Sequence, residues 1–181
     1  MRYLLTLLLL GSALLAQGPQ GYGLNRNSQD IQYQFQLRGT KAGSAFQDLA
    51  GDQVSGGGGF MAIFGDSPLR LRLRLDGDFY PSQNGRPLVS TQGLGVEAFF
   101  LLPTGDTLIP YLSLGPTFQH WEFGGGDFLG QAPQSSNKLG ARAEIGVWFR
   151  RRFAISGGLF YGTFAVDKTA ANPYIAITLQ F

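Results

Sequence analysis

Between Leu69 and Tyr80 the chain reads LRLRLRLDGDFY, with leucine alternating against arginine and then aspartate. Arginine keeps its proton in any protein environment, so this stretch cannot be wrapped in apolar surroundings on all sides. Strand geometry sends successive side chains to opposite faces. Leu69, Leu71, Leu73 and Leu75 then share one face, and Arg70, Arg72, Arg74, Asp76 and Asp78 share the other. The 3.6-residue period of a helix would scatter both sets around its circumference. The stretch is predicted to be a strand with one apolar and one ionic face, and the fold must decide which face it encloses.

The same alternation recurs along the chain. DIQYQFQLRG sets Ile31, Tyr33, Phe35 and Leu37 against Gln32, Gln34, Gln36 and Arg38. QGLGVEAFFLL sets Leu94, Val96, Ala98, Phe100 and Leu102 against a face that carries Glu97, and KLGARAEIGVWF sets an apolar row against Arg142 and Glu144. YLSLGPTFQHWEF, RFAISGGLFYGTF and PYIAITLQF complete the set together with GGGGFMAIF, which is apolar on both faces and has no assignable orientation. These eight segments mostly have the length of about 9–11 residues that crosses a bilayer as a tilted strand. Their connections alternate. Short ones fall at Gly65–Pro68, Pro103–Thr107 and Arg150–Arg152; longer ones run about Thr40–Ser55, Pro81–Ser90, Gly124–Asn137 and Ala165–Asn172. The expected fold is all-β: an eight-stranded antiparallel transmembrane barrel, an up-and-down meander with both termini on the periplasmic side. Pro116, in the middle of the fifth segment, removes a ladder hydrogen bond and is expected to mark a bulge or an early end of regular pairing.

The first residues, MRYLLTLLLLGSALLAQG, follow a basic residue with an apolar run and then small residues, the layout of a secretory leader. Residues 1–16 are read as a cleaved signal peptide, with cleavage after Ala16 or, alternatively, Ala13. Residues 17–29 are a short periplasmic spacer and residues 30–181 the barrel. Absence of cysteine excludes disulfides and lipid attachment at cysteine. A formal charge of +2, one of which leaves with Arg2, gives no basis for a nucleic-acid partner.

Alternation is equally compatible with a secreted soluble barrel of the lipocalin kind, apolar inside and polar outside. Composition favours the inverted arrangement. Only Lys41, Lys138 and Lys168 are lysines, whereas the polar faces carry Gln, Gly, Ser, Thr and Arg with matching carboxylates. Aromatic residues gather near segment ends: Phe64, Phe100, Tyr111, Phe149, Phe153 and Phe181 at one end, Tyr80, Trp121, Phe123, Phe164 and Tyr174 at the other. They are expected to form two interfacial girdles. With its final strand ending on Phe181, the sequence resembles the small eight-stranded outer-membrane proteins of Gram-negative bacteria, the OmpX and OmpA-barrel-like group. The resemblance spans roughly Asp30 to Phe181 and is one of pattern and length. It implies a monomer in the bacterial outer membrane, surrounded by outer-membrane lipid. It also implies a C-terminal signal, read by the barrel-assembly machinery, at Tyr174, Ile177, Leu179 and Phe181. Leu179 and Phe181 match that signal, but Ala176 stands where it has a glycine and Tyr174 where it has a polar residue.

Arg38, Arg70, Arg72, Arg74, Asp76, Asp78, Glu97, Arg142 and Glu144 are expected to form a charge network that closes the lumen, with Glu97 roughly opposite Arg74. The competing reading is a narrow ion-conducting pore. Asp76 and Asp78 alone fall short of the oxygens that calcium takes, and neither a metal nor another cofactor is expected. His120 and Glu122, with Ser135 or Ser136 from the neighbouring loop, raise the alternative of a lipid A-modifying barrel enzyme. His120 is followed by Trp121 and Glu122 where the lipid A deacylases carry a His-x-Ser pair followed by Asn, and no catalytic residue is assigned. Gly56–Gly59 lacks the lysine of a phosphate-binding loop and is read as a flexible junction between loop and strand. The Arg150–Arg152 turn is expected beside phospholipid headgroups. The expected function is structural or surface-interacting, with four loops outside.

Overall fold

Strands with one apolar and one ionic face leave no unpaired edge if they close on themselves, and the computed structural model of the chain shows that closure. It describes residues 31–82, 88–102, 107–124, 134–150, 152–165 and 168–181. The leader and spacer lie outside the described residues. Eight strands follow in order: β1 (Gln32–Lys41), β2 (Val54–Phe64), β3 (Leu69–Tyr80), β4 (Leu88–Leu101), β5 (Leu108–Gly124), β6 (Gln134–Phe149), β7 (Phe153–Ala165) and β8 (Lys168–Gln180). Each pairs antiparallel with the next, and β8 pairs antiparallel with β1. A six-residue helix, α1 (Ala45–Ala50), lies between β1 and β2.

Polarity is inverted relative to a soluble barrel. The most exposed large apolar residues run from Leu73 at 37% exposure to Ile175 at 72%, whereas Arg72, Arg74, Glu97 and Glu144 are each 1% exposed. Along β3 the burial alternates strictly from Leu71 to Tyr80, the leucines outside and Arg72, Arg74, Asp76 and Asp78 inside. A ring of eight strands has an interior just wide enough for side chains to fill, and these side chains fill it.

The orientation of β2, unreadable from its composition, is resolved by burial: Ser55, Gly59, Met61 and Ile63 are buried, with Phe60, Phe64 and Ala62 on the other side. Gly56–Gly59 is not a flexible junction but paired strand, running beside Gln36–Gly39 and Asp76–Phe79. The reason is space. A Cβ on Gly59 would lie 2.6 Å from Cβ of Asp76, and one on Gly57 would collide with the Asp78 carboxylate.

Several connections differ from their sequence outline. In the last, expected over Ala165–Asn172, strand pairing reaches into the expected connection: β7 and β8 pair on to Thr163–Thr169 and, after a register shift, Ala165–Lys168. Pro116 interrupts only one ladder. β4 and β5 pair as far as Gly95–Thr117 and resume at Ala98–Leu114 in the same register, while Pro116 still faces Ala141 of β6.

Replacing Gly59 by valine is expected to overpack the lumen at a cost of about 1–3 kcal/mol. The measurement is the urea midpoint of the folded species on unheated gels, and an unchanged midpoint would contradict the tight fit.

Candidate functional site: the filled lumen

The inward residues stack in four levels between the two ends of the barrel. Nearest the short turns, Ile63, Phe99, Ile109, Tyr111, Trp148 and Ala154 form an apolar floor. Above them sits a first ionic group. Arg72 donates through Nε to Glu97 at 2.6 Å and through Nη1 to Glu144 at 3.1 Å. Arg74 donates through Nε to the other oxygen of Glu97 at 2.8 Å and through Nη2 to Glu144 at 2.9 Å. Each carboxylate thus bridges both guanidinium groups, and Gln36, Tyr111 and Tyr174 add donors to Glu144 at 3.1, 2.8 and 2.8 Å. Register puts Arg72, rather than Arg74, opposite Glu97. Two residues of rotation along the strand keep Arg74 on the same face, so it reaches the same carboxylate.

A second ionic group lies nearer the long loops. Arg38 holds Asp78 in a bidentate pair, Nε to Oδ1 at 2.7 Å and Nη2 to Oδ2 at 2.6 Å, the geometry for which the planar guanidinium is suited. Its Nη1 reaches Asp76, which also receives Nη1 of Arg142. Thr40 donates to Asp78 at 3.1 Å. Each group holds two arginines and two carboxylates, so each is formally neutral. The Tyr174 ring joins the groups, with the guanidinium carbons of Arg38 and Arg142 5.7 and 5.6 Å from its centroid, within cation–π range. Arg70 stands apart, half-buried near the short turns, donating to the Ser67 carbonyl at 2.9 Å and to Gln32 at 3.0 Å.

The fourth level is an aromatic plug. Tyr80, Trp121, Phe164 and Tyr174, expected in an outer girdle, all point into the lumen. Phe46 of α1 is fully buried against Tyr80, Trp121 and Phe164, edge to face, at centroid distances of 4.9, 5.1 and 5.2 Å. The helix is tethered to β8 by the Gly43 amide, which donates to Asn172 at 3.0 Å, and by a bridge from Ser44 to Ala170. At the mouth, the exposed Lys41 ammonium lies 2.9 Å from Asp52 and holds that carboxyl below its ordinary range. At the other end Phe100, Phe153 and Phe181 do face outward, but Tyr111 turns inward to the floor.

His120 lies on the outer wall, near the long-loop end of β5. Its Nε2 is 3.4 Å from Glu122 and its Nδ1 is 2.6 Å from Asn137. Ser90 donates to Glu122 at 3.2 Å, and Ser136 turns away to donate to the Phe164 carbonyl at 2.8 Å. A hydrolytic arrangement needs a nucleophile hydrogen-bonded to its base; here both ring nitrogens face other groups. Among the described residues no group of three potential metal ligands occurs. Ile177 and Leu179 of β8 and Phe181 just beyond it share the outward row, while Tyr174 faces Glu144.

By sequence, no protein-family model and no curated protein matches the chain. By structure it is similar to Neisserial surface protein A, with a TM-score of 0.61 and 14% identity, covering 83% of this chain and 97% of that one. It is similar to the outer membrane enzyme PagL, at 0.59 and 11% identity over 81% of this chain and 98% of that one. It is similar also to Ail, the attachment invasion locus protein of Yersinia pestis, at 0.53 and 12% identity over 85% and 99%. Identities this low speak for a shared fold. The chain has the fold of the small eight-stranded outer-membrane barrels.

Glu144 receives more donors than any other carboxylate described above. Glu144→Leu is expected to strand two buried guanidinium groups, and breaking a buried pair in this way costs about 3–5 kcal/mol. Glu97→Leu strands the same two arginines but leaves the Gln36, Tyr111 and Tyr174 donors with their acceptor, and is expected to cost less. Urea unfolding in lipid vesicles ranks the two, and equal midpoints for both variants and the parent would contradict the network.

Proposed function

We propose that the chain is a non-conducting outer-membrane barrel of structural or surface-interaction type, exported by its leader and monomeric in the lipid. The observation that carries this reading is the filled lumen. Floor, two neutral ionic groups and aromatic plug occupy successive levels, and a cavity of ≈ 10 Å³ at the upper ionic group is room for about one water molecule. A pore needs a continuous aqueous path, and arginines that repel cations in an open channel would need carboxylates farther away than these. Apolar residues around the whole outer wall fit surrounding hydrocarbon, and the outward row Ile177, Leu179 and Phe181 fits recognition by the assembly machinery. What such a barrel offers its surroundings is its long-loop end, where α1 caps the lumen. The similar fold of an attachment protein is consistent with such a role, and the similar fold of an enzyme is a reason to test the outer-wall histidine.

Fractionation should place the protein in the outer membrane, and unheated and heated gel samples should differ in mobility. Recovery in the soluble periplasm would overturn the reading. In planar bilayers the parent is expected to be silent, and so is Phe46→Ala, which empties only the uppermost of the four levels and leaves the ionic groups and the floor in place. Steady parent currents would favour the pore instead. His120→Ala is expected to leave the lipid A pattern of the producing cell unchanged; its loss of a modification would favour the enzyme.

A further inference from the structure

The one cavity described above lies where the upper ionic group meets the underside of the plug. Arg38, Asp78, Tyr80, Trp121, Gln119 and Arg142 are among its walls. Most polar groups around it are mutually engaged: Arg38 and Thr40 with Asp78, the Asp78 amide with Thr91 at 3.1 Å, Asn172 with Tyr80 at 3.4 Å. Three are not. Nε of Arg142, Nε1 of Trp121 and Oε1 of Gln119 are buried and have no hydrogen-bond partner among the described residues. All three belong to walls of this cavity. Buried polar groups in native proteins are nearly always satisfied, by protein or by ordered water. Three orphans in one place therefore point to a shared guest.

The chemistry of the three selects that guest. Two are N–H donors and one is a carbonyl acceptor, so the guest must accept twice and donate once. About 10 Å³ is the space of a single water, which typically makes about three hydrogen bonds to otherwise unsatisfied groups. A metal ion finds only one oxygen among the three. A halide would suit the two donors but would face the Gln119 carbonyl and the Asp78 carboxylate across the same small space. We propose that this cavity is a binding site for one long-lived water molecule, which accepts from Arg142 and Trp121 and donates to Gln119. It completes the hydrogen bonding of Arg142, whose Nη1 is already committed to Asp76, and it joins the ionic lumen to the plug. The site does not depend on the biological role proposed above.

The test is water-selective cross-relaxation NMR on the folded, full-length barrel in nanodiscs, with ¹⁵N-labelled tryptophan. Trp121 is part of the plug and 1% exposed, so bulk solvent does not reach its indole directly. Its Nε1 proton is expected to show a direct cross-peak to a long-lived water, unchanged when chloride is replaced by a large impermeant anion. Gln119→Leu removes the acceptor and is expected to abolish that cross-peak. Phe46→Ala, which opens the plug above, is expected to keep the contact but speed its exchange with bulk water. Absence of the cross-peak in the parent would overturn the site. A Trp121 shift that saturates with added bromide would overturn it in favour of a halide, with the Gln119 amide turned to present its NH₂. Persistence of the cross-peak in Gln119→Leu would overturn the proposed three-point geometry.

Discussion

Four guanidinium groups that cannot lose their protons are enclosed in a cylinder whose outer wall is hydrocarbon. Removing such an ion from water costs several kcal/mol even after relaxation, and geometry must repay it. The structure answers with four carboxylates divided into two neutral clusters: in the lower one each arginine is shared between both carboxylates, and in the upper one Arg38 bridges Asp76 and Asp78 while Asp76 also takes Arg142. Much else follows from that requirement. Glycine occupies β2 where the carboxylates of β3 need room, Gln36 and two tyrosine hydroxyls supply the remaining donors to Glu144, and apolar side chains are displaced to the two ends and the outer wall. Because every strand except β2 and β7 contributes a polar side chain to these contacts, the network also ties opposite walls of the cylinder together.

Much of this was legible in the alternation. Strand count, antiparallel order, the position of the short turns at Gly65–Pro68 and Arg150–Arg152, and the inward face of β3 all follow from a period of two. The orientation of β2 was not legible, because Phe60, Met61, Ala62 and Ile63 are apolar in both phases and glycine carries no signal of its own. Its purpose becomes visible only when Asp76 and Asp78 are placed beside it. Partner choice was partly hidden as well. An uncertain loop length shifts a register by two residues, so Glu97 was placed opposite Arg74 and is found opposite Arg72.

The aromatic plug was misread for an instructive reason. Tyr80, Trp121 and Tyr174 were grouped by their nearness to strand ends, where aromatic girdles belong. Their parity said otherwise: Tyr80 is in phase with Asp78, Trp121 with Gln119, and Tyr174 with Thr178. Parity outranks position along the strand, because pointing inward is a matter of backbone geometry and girdle membership only a tendency. The helix carrying Phe46 had no such signal. Six residues are too few for a helical pattern, and α1 exists because its one large apolar side chain has a socket waiting.

The seam between β1 and β8 runs only from Gln34–Gln180 to Thr40–Tyr174, whereas β5 and β6 pair from Leu108–Phe149 to Phe123–Gln134. On the outside, Phe181 reaches past β1 to lie 5.8 Å from Phe60, which in turn lies 6.1 Å from Tyr33. Inside, Gln36 donates across it to Thr178 at 3.2 Å. A cylinder built from one continuous hairpin series is sealed at a single place, and that place joins the residues farthest apart along the chain. Loop-closure entropy opposes its formation most, so the latch of Tyr33, Phe60 and Phe181 stands where closing the wall costs most. The same short seam is where a pulling force or a rising temperature would first part the wall.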